Sequence, residues 1–175
     1  MPPAIEQVDA DTTSLHEPAL VALIQEMVDT GASIGFLPPL SAAEAAEYWR
    51  SVSAAQRAGS RRHWIAREAG GRIVGSVQLD LATRANACHR AEVQKLMVAT
   101  AARRRGLARA LMLAAEAEAR RLGRTTLVLD TRQGDPSEAL YRGLGWTLAG
   151  VIPKYAESAG GALDASAFYF KLLEG

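Results

Sequence analysis

The stretch that most limits what this chain can fold into is Val93-Gln94-Lys95-Leu96-Met97-Val98, followed by Arg103-Arg104-Arg105-Gly106-Leu107-Ala108 and an alanine- and leucine-rich run that stops at Gly123. An apolar, strand-like segment breaks at Ala99-Thr100-Ala101, and a helix begins just after the arginines and the glycine. Thr125-Thr126-Leu127-Val128-Leu129-Asp130 then reads as a second strand. Strand, helix and strand in that order must cross over right-handed and pair in parallel. The helix start leaves main-chain N–H groups without intrahelical partners and sets cations beside them, an arrangement that holds phosphate. Gly106 has no Cβ, so the backbone can close around a bulky anion. Arg103, Gly106 and Ala108 fit the spacing Arg/Gln-x-x-Gly-x-Gly/Ala, and no lysine followed by Ser or Thr completes a Walker-type loop. The expectation is a nucleotide-type cofactor with a pyrophosphate. The competing reading is a basic helix start facing solvent.

The rest of the chain supplies the frame. Thr13 or Ser14 caps a first helix through Leu15, Leu20, Leu23, Ile24, Met27 and Val28, ended by Gly31. Ser41 with Glu44 forms a capping box ahead of a second helix ending near Gly59. Residues 63–67 and 73–81 form a β-hairpin around Gly70-Gly71, and Arg90 to Val98 is the next strand. The third helix runs from about Gly106 to Leu122, with Leu107, Ala110, Leu111, Ala114, Ala115 and Ala119 on one face. Pro136 opens a short helix from Glu138 to Leu144, and Trp146–Ile152 and Ala167–Leu173 are the last strands. With a weak strand at Ile5–Asp9, the order is β-α-α-β-β-β-α-β-α-β-β. This gives a single α/β (α+β) domain over residues 1–175. Its sheet is mixed and mostly antiparallel, with about seven strands and about four flanking helices.

Bulk properties narrow the function classes. A net charge of +1 sets up no field toward nucleic acid or a membrane surface. No apolar run is long enough to span a bilayer, and Met1-Pro2-Pro3-Ala4-Ile5-Glu6 lacks the n- and h-regions of a secretory signal. Cys88 is the only cysteine, which excludes an internal disulfide, suits a cytoplasmic location, and reads as a small, partly buried residue. His16, His63 and His89 are scattered without metal-ligand spacing, so no metal is expected. Trp49, Trp64 and Trp146 read as core or edge residues, and Lys154 as a solvated charge.

The element order, Arg103-x-x-Gly106-x-Ala108, and Ser137-Glu138-Ala139-Leu140-Tyr141-Arg142-Gly143-Leu144-Gly145-Trp146 together resemble the GCN5-related N-acetyltransferase (GNAT) superfamily. The resemblance covers nearly the whole chain and is strongest from Arg90 to Trp146. Within that superfamily, Gly31–Phe36, Arg90–Val98, Leu129-Asp130-Thr131 and Tyr169-Phe170-Lys171 are similar to stretches of the tabtoxin resistance proteins. Those proteins act on a toxin with a β-lactam ring and a free amine. The resemblance implies the GNAT fold and acetyl transfer from acetyl-coenzyme A to a primary amine. It assigns Arg103, Arg104, Arg105, Gly106, Leu107, Ala108 and Arg109 to coenzyme A. It also implies that the preceding strand splays from its neighbour, leaving the backbone of Leu96, Met97 and Val98 for the pantetheine arm and for oxyanion stabilisation. The N-terminal helices and the loop holding Ser33 and Phe36 fall on the substrate side; Tyr155 is a further candidate lining residue.

The residues suggest how the amine is handled. Only about one part in 2,500 of an alkylamine is neutral at pH 7, a cost of about 4.6 kcal/mol. A carboxylate in a partly desolvated cleft contributes roughly 10²–10⁴-fold as a general base. Glu92, inside a strand, and Asp130, at the end of the next, are the candidates; the alternatives are an arginine partner for Glu92 and a turn cap for Asp130. Gln94 shares a strand face with Glu92 and could orient it or the substrate. Tyr141 is the candidate general acid, or an aromatic packing residue. Ser137 bonds the pantetheine or caps its helix. The acceptor classes are a small-molecule amine or, alternatively, a protein or peptide amine; a non-catalytic acyl-coenzyme A sensor is the third reading. No nucleic-acid or membrane partner is expected, and the chain would be a monomer or homodimer.

Overall fold

A computed structural model describes residues 4–173, so the reading of Met1-Pro2-Pro3 lies outside the described residues. Strands β1 (Ala4–Val8), β2 (Arg61–Arg67), β3 (Ile73–Leu81), β4 (Arg90–Val98), β5 (Thr126–Arg132), β6 (Thr147–Glu157) and β7 (Leu163–Leu172) form one sheet in the order β1-β2-β3-β4-β5-β7-β6. Every pairing is antiparallel except β4 with β5, the pair joined through the crossover helix. The helices are α1 (Ala10–Leu15), α2 (Glu17–Asp29), α3 (Ala42–Arg57), α4 (Leu107–Arg121) and α5 (Ser137–Gly143). A single 3-10 turn at Thr100–Ala102 separates β4 from the arginine loop.

The first expected helix is two helices. Asp9, not Thr13 or Ser14, caps α1 by accepting from the Thr12 N–H at 2.8 Å. Pro18 then restarts the helix in its first turn as α2, because proline lacks an N–H and fits only where none is needed. The capping box of Ser41 and Glu44 is present at α3.

Strand β3 is the spine of the core. All its residues except Asp80 are buried, Ser76 and Gln78 included, because α2 and α3 as well as α4 pack onto the sheet around it. Polar side chains in this region are hydrogen-bonded inside the protein. His63 sits between the Thr13 and Ser76 hydroxyls, at 2.9 Å from each. Gly75 sits at a close approach: a Cβ there would lie 3.1 Å from Ala66 Cβ, Leu111 Cδ1 and the Met97 carbonyl oxygen, so these neighbours would have to give by a few tenths of an ångström. Helix α4 buries Leu107, Leu111, Met112, Ala115 and Ala119, whereas Ala110 and Ala114 are only half-buried. Its face also buries Glu116, which accepts from Trp146 Nε1 at 2.9 Å and Lys171 Nζ at 2.7 Å and so ties the crossover helix to the last two strands. Cys88 is exposed in the β3–β4 loop rather than partly buried. Tyr155 and Lys154 lie in β6, which runs to Glu157, further than expected.

Candidate active site

Strands β4 and β5 pair only from Arg90, Ala91 and Glu92 to Thr126, Leu127 and Val128. Beyond Glu92 the two separate, although β4 continues to Val98 and β5 to Arg132. The divergence has a local cause. Between the pairs Ser76–Met97 and Gln78–Gln94, β4 holds one residue more than β3, a bulge that bends the strand. Lys95 within it takes a left-handed φ of 52°. The opening exposes the β5-facing edge of Leu96, Met97 and Val98; Met97 is buried, and the flanking two are half-buried.

The strand leads directly into the arginine loop. Arg104 (φ 62°) and Gly106 (φ 78°) both adopt left-handed backbone. Among the described residues, no protein acceptor is found for any main-chain N–H from Arg104 to Arg109; the first satisfied one is Ala110, which donates to the Gly106 carbonyl at 3.0 Å. Helix α4 has no side-chain cap and no acidic residue in its first turn. The two acids nearby are engaged: Glu26 accepts from the Thr100 N–H at 2.7 Å, and Glu68 pairs with Arg105 at 2.7 Å. A Cβ on Gly106 would meet nothing within 4 Å, so in the protein alone the glycine is demanded by its φ rather than by crowding.

The arginines divide their work. Arg103 folds back, its Nε donating to the Val98 carbonyl at 3.2 Å while Nη2 lies 3.7 Å from Met27 Sδ. Arg105 is held by Glu68 in the β2–β3 turn. Arg104 and Arg109 are exposed, and no ion pair is found for either among the described residues. Leu107 is buried and anchors the helix start; Ala108 is half-buried. Unsatisfied amides, left-handed turns and free guanidinium groups together fit a polyphosphate anion.

On the other side of the opening, Glu92 and Gln94 share one face of β4, half-buried. No ion pair is found for Glu92 among the described residues; Asp80, opposite it across the sheet, takes Arg61 at 3.2 Å. Asp130 is exposed and lies two residues inside β5, opposite Phe168, so it does not cap a turn. Tyr141 is buried against Trp146 and Tyr169, with ring centroids 6.3 and 5.9 Å away. Burial pushes its phenol up to about 12, Ser137 pulls it down, and the negative charges of Asp135 and Asp130 raise it further. Ser137 does not cap α5 through its side chain; Asp135 accepts from the Ser137 N–H at 2.8 Å, and the Ser137 hydroxyl is 3.0 Å from that of Thr131.

Ser33 and Phe36 line a pocket of about 250 Å³ between the α2–α3 loop and the β6–β7 hairpin. Arg132 forms part of its wall, donating to the Gly31 carbonyl at 3.0 Å and pairing with Asp164 at 3.0 Å. Tyr155 does not line it and instead packs edge-on against Phe168. The residues not anticipated are Lys95 and Tyr48. Phe36 stacks edge-on against Tyr48, whose ring lies 5.7 Å from Lys95 Nζ. Burial, and then Arg61, lower the Lys95 ammonium below its ordinary range, while Glu92 and Asp130 raise it. The charge of Asp130 is felt at both Lys95 and Tyr141, and that of Glu92 at Lys95.

Among the described residues no group of three or more histidine, cysteine or acidic side chains could hold a metal ion, and no helix is long and apolar enough to cross a membrane. The fold is shared with solved proteins of low sequence identity. A ribosomal-protein-alanine N-acetyltransferase from Brucella melitensis is 22% identical, with a TM-score of 0.81 over 97% of this chain and 99% of that one. The putative acetyltransferase yncA from Salmonella typhimurium, solved with its cofactor acetyl-CoA, is 20% identical, with a TM-score of 0.81 over 100% and 96%. A GNAT superfamily phosphinothricin acetyltransferase from Sinorhizobium meliloti, in complex with AcCoA, is 20% identical, with a TM-score of 0.81 over 99% and 89%. The profile of the acetyltransferase (GNAT) family matches residues 24–146, most of the chain and all of the segment from the bulged strand to Trp146, and the chain belongs to that family.

Proposed function

We propose that this acetyltransferase moves the acetyl group of acetyl-coenzyme A to the primary amine of a small molecule. The observation that carries the reading is the row of main-chain N–H groups from Arg104 to Arg109 left without protein acceptors beside an open strand edge. Acetyl-coenzyme A, when bound, supplies an acetyl group on a thioester that an amine can attack. The amides of Arg104 through Arg109 hold the diphosphate, with Gly106 and Ala108 keeping the approach clear and Arg104 and Arg109 adding charge. Arg103 and Arg105 hold the loop to Val98 and Glu68. The main chain of Leu96, Met97 and Val98 lines the arm of the cofactor, and an N–H there stabilises the oxyanion. Ser137 is close to this arm.

Glu92 and Asp130 share removal of the amine proton, with Gln94 orienting the acceptor. The Tyr141 phenol stays protonated through the neutral range, because its burial raises it to about 12. Being a weaker acid than a thiol, it acts chiefly by donating a hydrogen bond to the departing sulfur. Ser33 and Phe36 contact the acceptor in the pocket that the α2–α3 loop half-encloses. That enclosure supports a compact acceptor over a peptide; the fold neighbours, named for a ribosomal protein and for phosphinothricin, fall on both sides of that choice. A toxin carrying a β-lactam and a free amine, as in the tabtoxin resistance proteins, is one member of this class. A cytoplasmic monomer or homodimer is the working form.

Thiol release on an amine panel tests the proposal. Small primary amines are expected to be acetylated, and Glu92→Gln with Asp130→Asn to lower the rate at neutral pH by roughly 10²-fold or more while the remaining rate climbs with amine deprotonation at higher pH. Acetylation confined to peptide N-termini, or a pH–rate profile unaltered in the double variant, would refute it.

A further inference from the structure

The cations of this region are not equivalent. Arg132, in the wall of the acceptor pocket, is neutralised by Asp164 at 3.0 Å, and Arg61, which bonds Gln78 outside that pocket, by Asp80 at 3.2 Å. Lys95 is different. Its side chain is half-buried, and among the described residues no carboxylate lies within 4.0 Å of its ammonium and no hydrogen bond from it is found. It reaches past the Tyr48 ring toward Gly35, where a Cβ would sit 3.5 Å from Nζ, and Gly35 lines the pocket. The left-handed bulge at Lys95 aims the chain out of the strand's regular alternation, so this direction is a product of the same irregularity that opens β4 from β5. An ammonium taken partly out of water without a counter-ion is costly, and a ligand anion offsets that cost.

We propose that Lys95 is a specificity-determining residue that binds a carboxylate on the acceptor, so that the preferred acceptors are amino acids and related zwitterions rather than simple amines. Glu92 and Asp130 face the acceptor ammonium, and Lys95 takes the anionic end at the Gly35 and Tyr48 wall. Depression of the lysine by burial and by Arg61, against the opposing pull of Glu92 and Asp130, fits a cation that lacks a close partner until one arrives. The inference rests on the small-amine reading and names its substrate class.

The test compares acetylation of amino acids bearing a free carboxylate with that of their methyl esters and amides, in the wild type and in Lys95→Met. Esters and amides also weaken the acceptor amine as a base, so the decisive quantity is the change in the acid-to-ester ratio of kcat/KM between the two proteins. A lost charge-assisted hydrogen bond predicts that this ratio falls about 10- to 100-fold in Lys95→Met, mainly through KM, with Lys95→Arg restoring part of it. Lys95→Gln serves equally should the methionine variant fail to fold. An unchanged ratio overturns the assignment, as does an equal loss with acids, esters and amides together with a shifted pH–rate profile, which would make Lys95 a partner of Glu92 and Asp130. If no amine on the panel releases thiol, the small-amine reading itself fails, and this assignment with it.

Discussion

The two sides of the strand opening are built by different means. The donor side is made of main chain: left-handed turns at Arg104 and Gly106 and a helix start without a cap. In the proposed binding mode its ligand-binding groups are amides, which every residue but proline possesses, so what the sequence must supply there is conformation. The acceptor side, as proposed, is made of side chains: Phe36 in the α2–α3 loop and Arg132 at the end of β5 line the pocket, and Tyr48 on α3 and Lys95 in the bulge lie next to Phe36 and Gly35. On the proposed reading, one scaffold thus holds the donor through main chain and the acceptor through side chains, with the β4 bulge serving both sides.

The sharpest way to break this comparison is at Gly106. Gly106→Val forces a β-branched residue into φ near 78° and sets a side chain where the anion approaches. Losing two charge-assisted hydrogen bonds of about 1.5–3 kcal/mol each predicts an affinity for acetyl-coenzyme A lowered by at least about 100-fold in calorimetry. Urea unfolding should show a stability cost of only about 1–2 kcal/mol. Unchanged affinity would contradict a donor side read through main chain. Tyr141→Phe comes next. It should lower kcat by roughly 10- to 100-fold with little change in cofactor affinity, and full turnover would leave Tyr141 as a packing residue between Trp146 and Tyr169.

The smallest effect concerns the acceptor side's support. His63 joins α1 to β3 through Thr13 and Ser76 and lies against Trp49 of α3. Burial, followed by the charge of Arg61, lowers it from 6.5 to about 3. The unfolded chain therefore binds more protons between these values, so the stabilisation is complete above about pH 6.5 and is lost as pH falls toward 3. Chemical denaturation should show about 2 kcal/mol lost to this group between pH 7 and pH 5, less in His63→Gln, and equal pH dependence in both proteins would contradict it.

What could be read from the residues follows the same division. The crossover from β4 through α4 to β5, the capping box at Ser41 and the glycine at the helix start are local patterns, and each is present. The split of the first helix was hidden because Asp9 and Pro18 each carry a boundary signal that the apolar spacing from Leu15 to Val28 overrides on paper. Ser76 and Gln78 are polar yet buried, and only the tertiary fold reveals that. The bulge at Lys95 has no signature in Gln94-Lys95-Leu96; it is defined by the register against Ser76 and Gln78. Since the bulge also directs Lys95, its place on the acceptor side could be seen only in the fold. The ion pair of Arg105 with Glu68, distant in sequence, is likewise visible only in the fold.

The central claim is that main-chain amides at the start of α4 capture the diphosphate of the cofactor. Backbone amide NMR during titration with acetyl-coenzyme A tests it most directly. The account predicts that the resonances of Gly106, Leu107, Ala108 and Arg109 shift most strongly and saturate together with those of Met97 and Val98. Saturable binding that leaves the Gly106–Arg109 amides unshifted would contradict it.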